Sequence, residues 1–202
     1  MNRLLLKSQY FSRLAAWGAG LLLLMASIMI AIEVVLRKAF SISIGGADEL
    51  SSYALAISCT WGFSFALFSK SHIRIDVLYT HLPRYGRYTL DILANLLLLL
   101  YIVMLSYFAF FVASTSVEKI SKANTPLATP LWIPQSLWLA GLIWFGLTIF
   151  LVIIGTIYYL VKKDHNSALK LSGISTLADE IEETTKSQKH NNHIPNQAGD
   201  TQ

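Results

Sequence analysis

Cysteine is nearly missing from this chain: Cys59 is the single one. A disulfide framework, a Cys-ligated zinc site and CxxC redox chemistry are therefore excluded within one chain. Charge is scarce as well. Asp, Glu, Lys and Arg make up 14% of the residues, against about 25% in a soluble domain. His72, His81, His165, His190 and His193 all lie outside the long apolar runs. A membrane cytochrome needs axial ligands, most often His, facing a haem between helices, so no cofactor is expected. No acid–His or Ser–Lys pair falls at a common depth to suggest a membrane hydrolase. The chain reads as a non-enzyme with no metal site.

Apolar side chains are plentiful. Hydrophobic residues make up 54% of the sequence, and the mean hydropathy is +0.51. The pattern is an all-α membrane protein with four transmembrane helices at about 14–36, 50–68, 90–113 and 133–161, since about 20 apolar residues span the hydrocarbon core. Residues 1–13 form a basic amino-terminal segment through Arg3, Lys7 and Arg13. A positive start before an apolar run is also the signature of a signal peptide. The run from Leu14 to Leu36 is too long for that and lacks a clear small-residue cleavage site, so it reads as a retained first span. From 162 to 202 there are no aromatics and many Ser, Asn, Gln, Lys and Glu. Such a tail buries too little apolar surface to offset its ordering entropy and is expected to be disordered.

The net charge of +4 does not indicate nucleic acid. The basic excess belongs to short loops and span ends, where it sets orientation. With both termini cytoplasmic, that side holds Arg3, Lys7, Arg13, Lys70, Arg74, Arg84, Arg87, Lys162, Lys163 and Lys170, and the other side holds only Arg37, Lys38, Lys119 and Lys122. Both termini are therefore expected in the cytoplasm. Prolines mark the boundaries of spans, at Pro83, Pro126, Pro130 and Pro134.

Three groups of residues stand out. At the outer end of the first hairpin, Glu33 and Arg37 are four apart on one helical face, the favourable order for an ion pair. The Gly45-Gly46 turn brings Asp48 and Glu49 to similar depth. Glu33 has two readings, a structural ion pair or a proton or ion site, because an intramembrane carboxylate is a functional hypothesis by default. In the second span Ala54, Ser58, Gly62 and Ala66 recur every fourth residue, the spacing that admits a close helix neighbour. That neighbour can belong to this chain or to another subunit. Only glycine also bares the backbone, so Gly62 is the expected point of closest approach. Ala15, Ala16, Ala19 and Gly20 give the first span small-residue faces of its own. The third group is His72, Arg74 and Asp76. It reads either as a solvated loop, with Asp76 capping a short interfacial helix that Pro83 ends, or as a docking element for another subunit.

Taken together, GADELSSYA opening the second span, Gly62 late within it, SHIRIDVLYTHLP after it and TPLATPLWIPQSLW before the fourth resemble the small membrane subunit, DctQ-like, of tripartite ATP-independent periplasmic (TRAP) transporters. The resemblance covers roughly residues 12–161. It implies a small scaffold subunit in the bacterial inner membrane, embedded in the lipid bilayer and bracing a large TRAP membrane subunit. That large subunit would carry the sodium and substrate sites, and a periplasmic substrate-binding protein would deliver an organic acid to it. The candidate residues for subunit packing or docking remain those read from spacing, Ala54, Ser58, Gly62, Ala66, His72, Arg74 and Asp76. The alternative is a small four-span proton-coupled exporter working through Glu33. Against it stand the position of Glu33 near the interface beside Arg37 and the long polar tail; nor does the chain show the broken helices near the midplane that transport sites use, since its Pro and Gly breaks lie mainly at span ends.

Overall fold

The computed structural model describes residues 2–43, 45–69 and 84–162. The proposed interfacial helix, the His72/Arg74/Asp76 cluster and the tail from Lys163 onward lie outside the described residues. So does the side chain of Arg87, which stands four residues before Asp91 in the sequence.

Within the described residues the protein is all-helical. The four helices are α1 (Asn2–Phe40), α2 (Ala47–Phe68), α3 (Arg84–Glu118) and α4 (Trp132–Val161), and each is long and apolar enough to cross a membrane. α1 starts twelve residues before its apolar run. Nothing between Asn2 and Trp17 is Gly or Pro, and Leu, Arg, Lys and Gln are good helix formers. Its 39 residues rise about 58 Å, well beyond the roughly 30 Å hydrocarbon core. Leu5, Ser8 and Ser12 form a buried stripe on this extension. α1 stops where Ser41 takes a left-handed φ of 54°. α3 begins directly after Pro83, and α4 carries Pro134 in its first turn, where a missing N–H breaks no helical bond.

The helices pack in the order α1, α2, α4, α3. α1 lies along α2, α2 along α4, and α3 along α4; α1 touches α4 only lightly. The sequential hairpins are thus joined through their α2 and α4 members. α4 buries one face, including Gly141, Phe145, Thr148, Ile149, Val152 and Thr156. The core is Leu67 of α2, Ile102 of α3 and Phe145, Ile149, Val152 and Ile153 of α4. Hydroxyls enter this apolar interior by bonding their own helix: Thr148 donates to Trp144 O at 2.9 Å and Thr156 to Val152 O at 2.8 Å. In lipid such pairing removes the cost of an unmet polar group. Asp91 and Asn95 are buried on α3, with Asn95 Nδ2 donating to Asp91 O at 2.9 Å.

Candidate functional site

The polar groups at the turn end of the α1–α2 hairpin sort into two carboxylate shells. Glu33 is 2% exposed. It accepts a hydrogen bond from Arg37 Nη2 at 2.7 Å and another from Ser43 Oγ at 2.6 Å. The first follows from helical spacing alone. The second needs the reversal at Ser41, which returns the chain over the end of α1. Gly45 N then donates to Ser43 Oγ at 3.3 Å, extending the shell into the turn.

Glu49, at the opening of α2, is also buried, and among the described residues no cation forms an ion pair with it. Tyr53 Oη donates to it at 3.0 Å. The hydroxyl of Thr125, seventy-six residues on, donates to its other oxygen, and Thr129 offers side-chain and backbone groups to the same carboxylate. Both threonines come from the connection between α3 and α4. That connection is a closed loop: Lys122 and Pro130 form an antiparallel bridge, Ala123 N donates to Thr129 O at 3.0 Å, and Leu131 N donates to Ser121 O at 3.1 Å. The loop sits on the first hairpin at Gly45-Gly46. Gly46 has φ +128°, and a Cβ there would stand 1.7 Å from Leu127 Cδ1. Glycine is required at that position on both counts. Asp48 is exposed. Of the charges expected as one cluster, Glu33 lies with Arg37 and Ser43, Asp48 adds its charge to the field at Arg37, and Glu49 lies with Tyr53 and Thr125.

The small-residue row on α2 divides along its length. Ala54 and Ser58 are buried, and Ser58 Oγ donates to Ala19 O of α1 at 3.0 Å. Small faces of α1 and α2 thus meet within this chain, close enough for a side chain to bond a neighbouring backbone. Gly62 departs from expectation. It is half-buried, and among the described residues no atom beyond its own stretch of helix lies within 4 Å of where its Cβ would be. The tight point lies on α4. A Cβ at Gly141 would stand 2.5 Å from Thr60 Oγ1 and 2.9 Å from both Thr60 Cβ and Trp61 Cδ1. Ala66 is half-buried on the same side as Gly62, so the described residues cover that half of the row only partly.

Where α1, α2 and α4 come together, aromatic side chains lock the junction. Phe11 meets Trp144 edge-on at 4.5 Å between centroids, and Trp144 Nε1 donates to Ser12 Oγ at 3.3 Å. Trp61 Nε1 donates to Leu137 O at 3.1 Å. Buried indoles need such partners for their N–H. Sequence reasoning missed Thr125, Thr129, Gly141 and Trp144. TPLATP signalled a break in the helices but not what its threonines reach.

Chemically, these groups bind one another. Among the described residues no three His, Cys, Asp or Glu side chains are placed to share a metal ion. Glu33 and Glu49 each already accept two or more hydrogen bonds. The family model described as "DctQ: Tripartite ATP-independent periplasmic transporters, DctQ component" matches residues 12–163. No curated protein and no solved structure matches the chain.

Proposed function

The chain belongs to the DctQ family, the small membrane component of tripartite ATP-independent periplasmic transporters, and from that premise we propose that it acts as a scaffold rather than as a conduit. In this reading it lies in the bacterial inner membrane with both termini cytoplasmic. It braces a large transport subunit that imports an organic acid coupled to sodium, and a periplasmic binding protein docks transiently on the complex.

The observation that carries the reading is how the polar groups are used. Glu33 and Glu49 are engaged at the outer end, and the buried hydroxyls of α4 bond their own backbone. No unwound helix opens among the described spans, where a transport site would place its ligands. Exposed apolar side chains cover α1 and α3 along most of their length, a surface suited to lipid and to a larger membrane partner. A proton-coupled exporter would need Glu33 free to exchange protons with substrate, whereas Arg37 and Ser43 hold it.

Reconstitution tests the proposal. Proteoliposomes holding this chain with its co-purifying large subunit and binding protein should take up an organic acid in a sodium gradient, and this chain alone should take up none. Uptake by the chain alone would sink the scaffold reading.

A further inference from the structure

The face of α1 opposite its buried stripe carries charge. Leu5, Ser8 and Ser12 are buried. On the other side of the helix Arg3, Lys7, Tyr10, Arg13 and Trp17 follow one another three or four residues apart, the spacing that lines up one helical face. All five are exposed, Tyr10 by 72% and Trp17 by 73%. No described residue forms an ion pair with Arg3, Lys7 or Arg13.

The contacts between helices set the depth of these cations. Ser12, next to Arg13, accepts a hydrogen bond from Trp144 Nε1 of α4 at 3.3 Å. Leu4 and Lys7 border one apolar groove with Leu151 of the same helix. Trp144 stands about 18 Å along the axis from the start of α4 at Trp132, and Leu151 about 16 Å from Lys162 at its other end. Between those ends α4 carries no charge. Its 30 residues rise about 45 Å, so a hydrocarbon core of about 30 Å laid anywhere along α4 takes in the level of Arg13. Charges at such depth are costly, and they pair with one another.

We propose that this stripe seats a transmembrane helix of the large subunit that carries an Asp or Glu, paired with Arg13. Charge complementarity selects the occupant. A guanidinium matches a carboxylate in a two-pronged hydrogen-bonded pair, and lipid tails offer no counter-charge at that level. A wholly apolar helix would cover Tyr10 and Trp17 but leave Arg13 unmet. Tyr10 and Trp17, on either side of Arg13, supply broad apolar rings that shield the pair from lipid while their polar tips stay free to bond. The identity of the partner rests on the scaffold reading; the need for an acid at this level does not.

The test uses the full chain purified from native membranes with its large subunit. Arg13→Gln should lower recovery of the large subunit at least about tenfold, the effect of leaving a desolvated charge without its partner. Arg13→Lys, which keeps the charge, should retain most of it. Both variants should melt with the wild type when the chain is purified alone, since no described residue pairs with Arg13. Tyr10→benzoylphenylalanine, a photo-crosslinking side chain at the exposed middle of the stripe, should join on illumination to a transmembrane peptide of the large subunit that contains Asp or Glu. Unchanged recovery with Arg13→Gln would overturn the proposal, as would an equal loss with Arg13→Lys, which would tie the effect to shape and not to charge. A phospholipid adduct alone at position 10 would overturn it too, because the stripe would then face lipid. A wild-type chain that recovers no large subunit would remove the scaffold reading and this docking face together, whereas a wild-type complex indifferent to Arg13→Gln would remove the docking face alone.

Discussion

Replacing Gly141 by alanine adds a single methyl at the closest approach of α2 and α4, and the structure specifies what it meets. The new Cβ would lie 2.5 Å from Thr60 Oγ1, 2.9 Å from Thr60 Cβ and 2.9 Å from Trp61 Cδ1. None of these atoms yields easily. Thr60 Oγ1 is held by Ile57 O at 2.9 Å and Ala56 O at 3.3 Å, and Thr60 Cβ is fixed to the backbone of α2. The indole of Trp61 is tethered to Leu137 O at 3.1 Å. The helices must therefore separate by several tenths of an ångström, at the roughly 1–3 kcal/mol typical of an overpacked core. Losing the Trp61–Leu137 hydrogen bond would add about 1 kcal/mol. The gain in helix propensity from Gly to Ala, about 1 kcal/mol at most, offsets only part of this. The assay is the thermal midpoint of the purified chain in detergent, where Gly141→Ala should melt several degrees below wild type. Thr60→Ala in the same chain removes the nearest clashing atom and should restore part of the loss, with a coupling energy measurable in a double-mutant cycle. Gly62→Ala, which meets nothing within 4 Å, serves as the comparison and should be neutral or slightly stabilising. An unchanged midpoint for Gly141→Ala, or equal damage from Gly62→Ala, would refute the packing argument.

Three further outcomes follow from the same geometry. Gly62→Leu should leave the isolated chain as stable as wild type yet reduce recovery of the large subunit on co-purification; loss of stability in the chain alone would show that the face is closed internally. Arg37→Ala should destabilise by about 1–2 kcal/mol because it removes the charged partner of a buried carboxylate, and Glu33→Gln should offset part of that loss in the double variant; strict additivity in thermal melts would show that the pair contributes no coupling. Gly46→Ala, strained by φ +128° and blocked by Leu127, should lift the loop over residues 121–131 from the first hairpin, and Thr125→Val should weaken the same contact by about 1–2 kcal/mol. Hydrogen exchange over that loop should rise in both variants, and unchanged protection would disprove the clasp.

What could be read from the sequence is local or is imposed by the solvent. The four apolar runs had to become helices because lipid offers no partner to an unpaired backbone group, and their placement inside α1 to α4 needed no tertiary knowledge. The Glu33–Arg37 pair was equally accessible, since residues four apart on a helix are neighbours whatever surrounds them. Helix ends were legible less evenly. The Gly45-Gly46 turn marked the start of α2, but α3 begins at Arg84, ahead of its apolar run, and α1 runs on to Asn2 through a segment whose charges suggested only a basic terminus.

Neighbourhood between helices is another matter. Four helices covered in Leu, Ile, Val and Phe present nearly interchangeable surfaces, and hydrophobicity does not drive one toward another inside lipid. On the row of small residues on α2, Ser58 meets Ala19 of α1. Which glycine carries the tightest contact depends on where α2 and α4 cross, and that crossing selects Gly141 rather than Gly62. Glu49 makes the same point across seventy-six residues. Its acidity and its place in the first turn of α2 were visible in the sequence, but its bond to Thr125 exists only because the loop between α3 and α4 folds back onto the first hairpin. The sequence determined that the chain crosses a membrane and where its charges sit along each helix. The tertiary structure alone decided which of those groups neutralise one another and which faces stay open, because both depend on how the helices cross and not on spacing along any one of them.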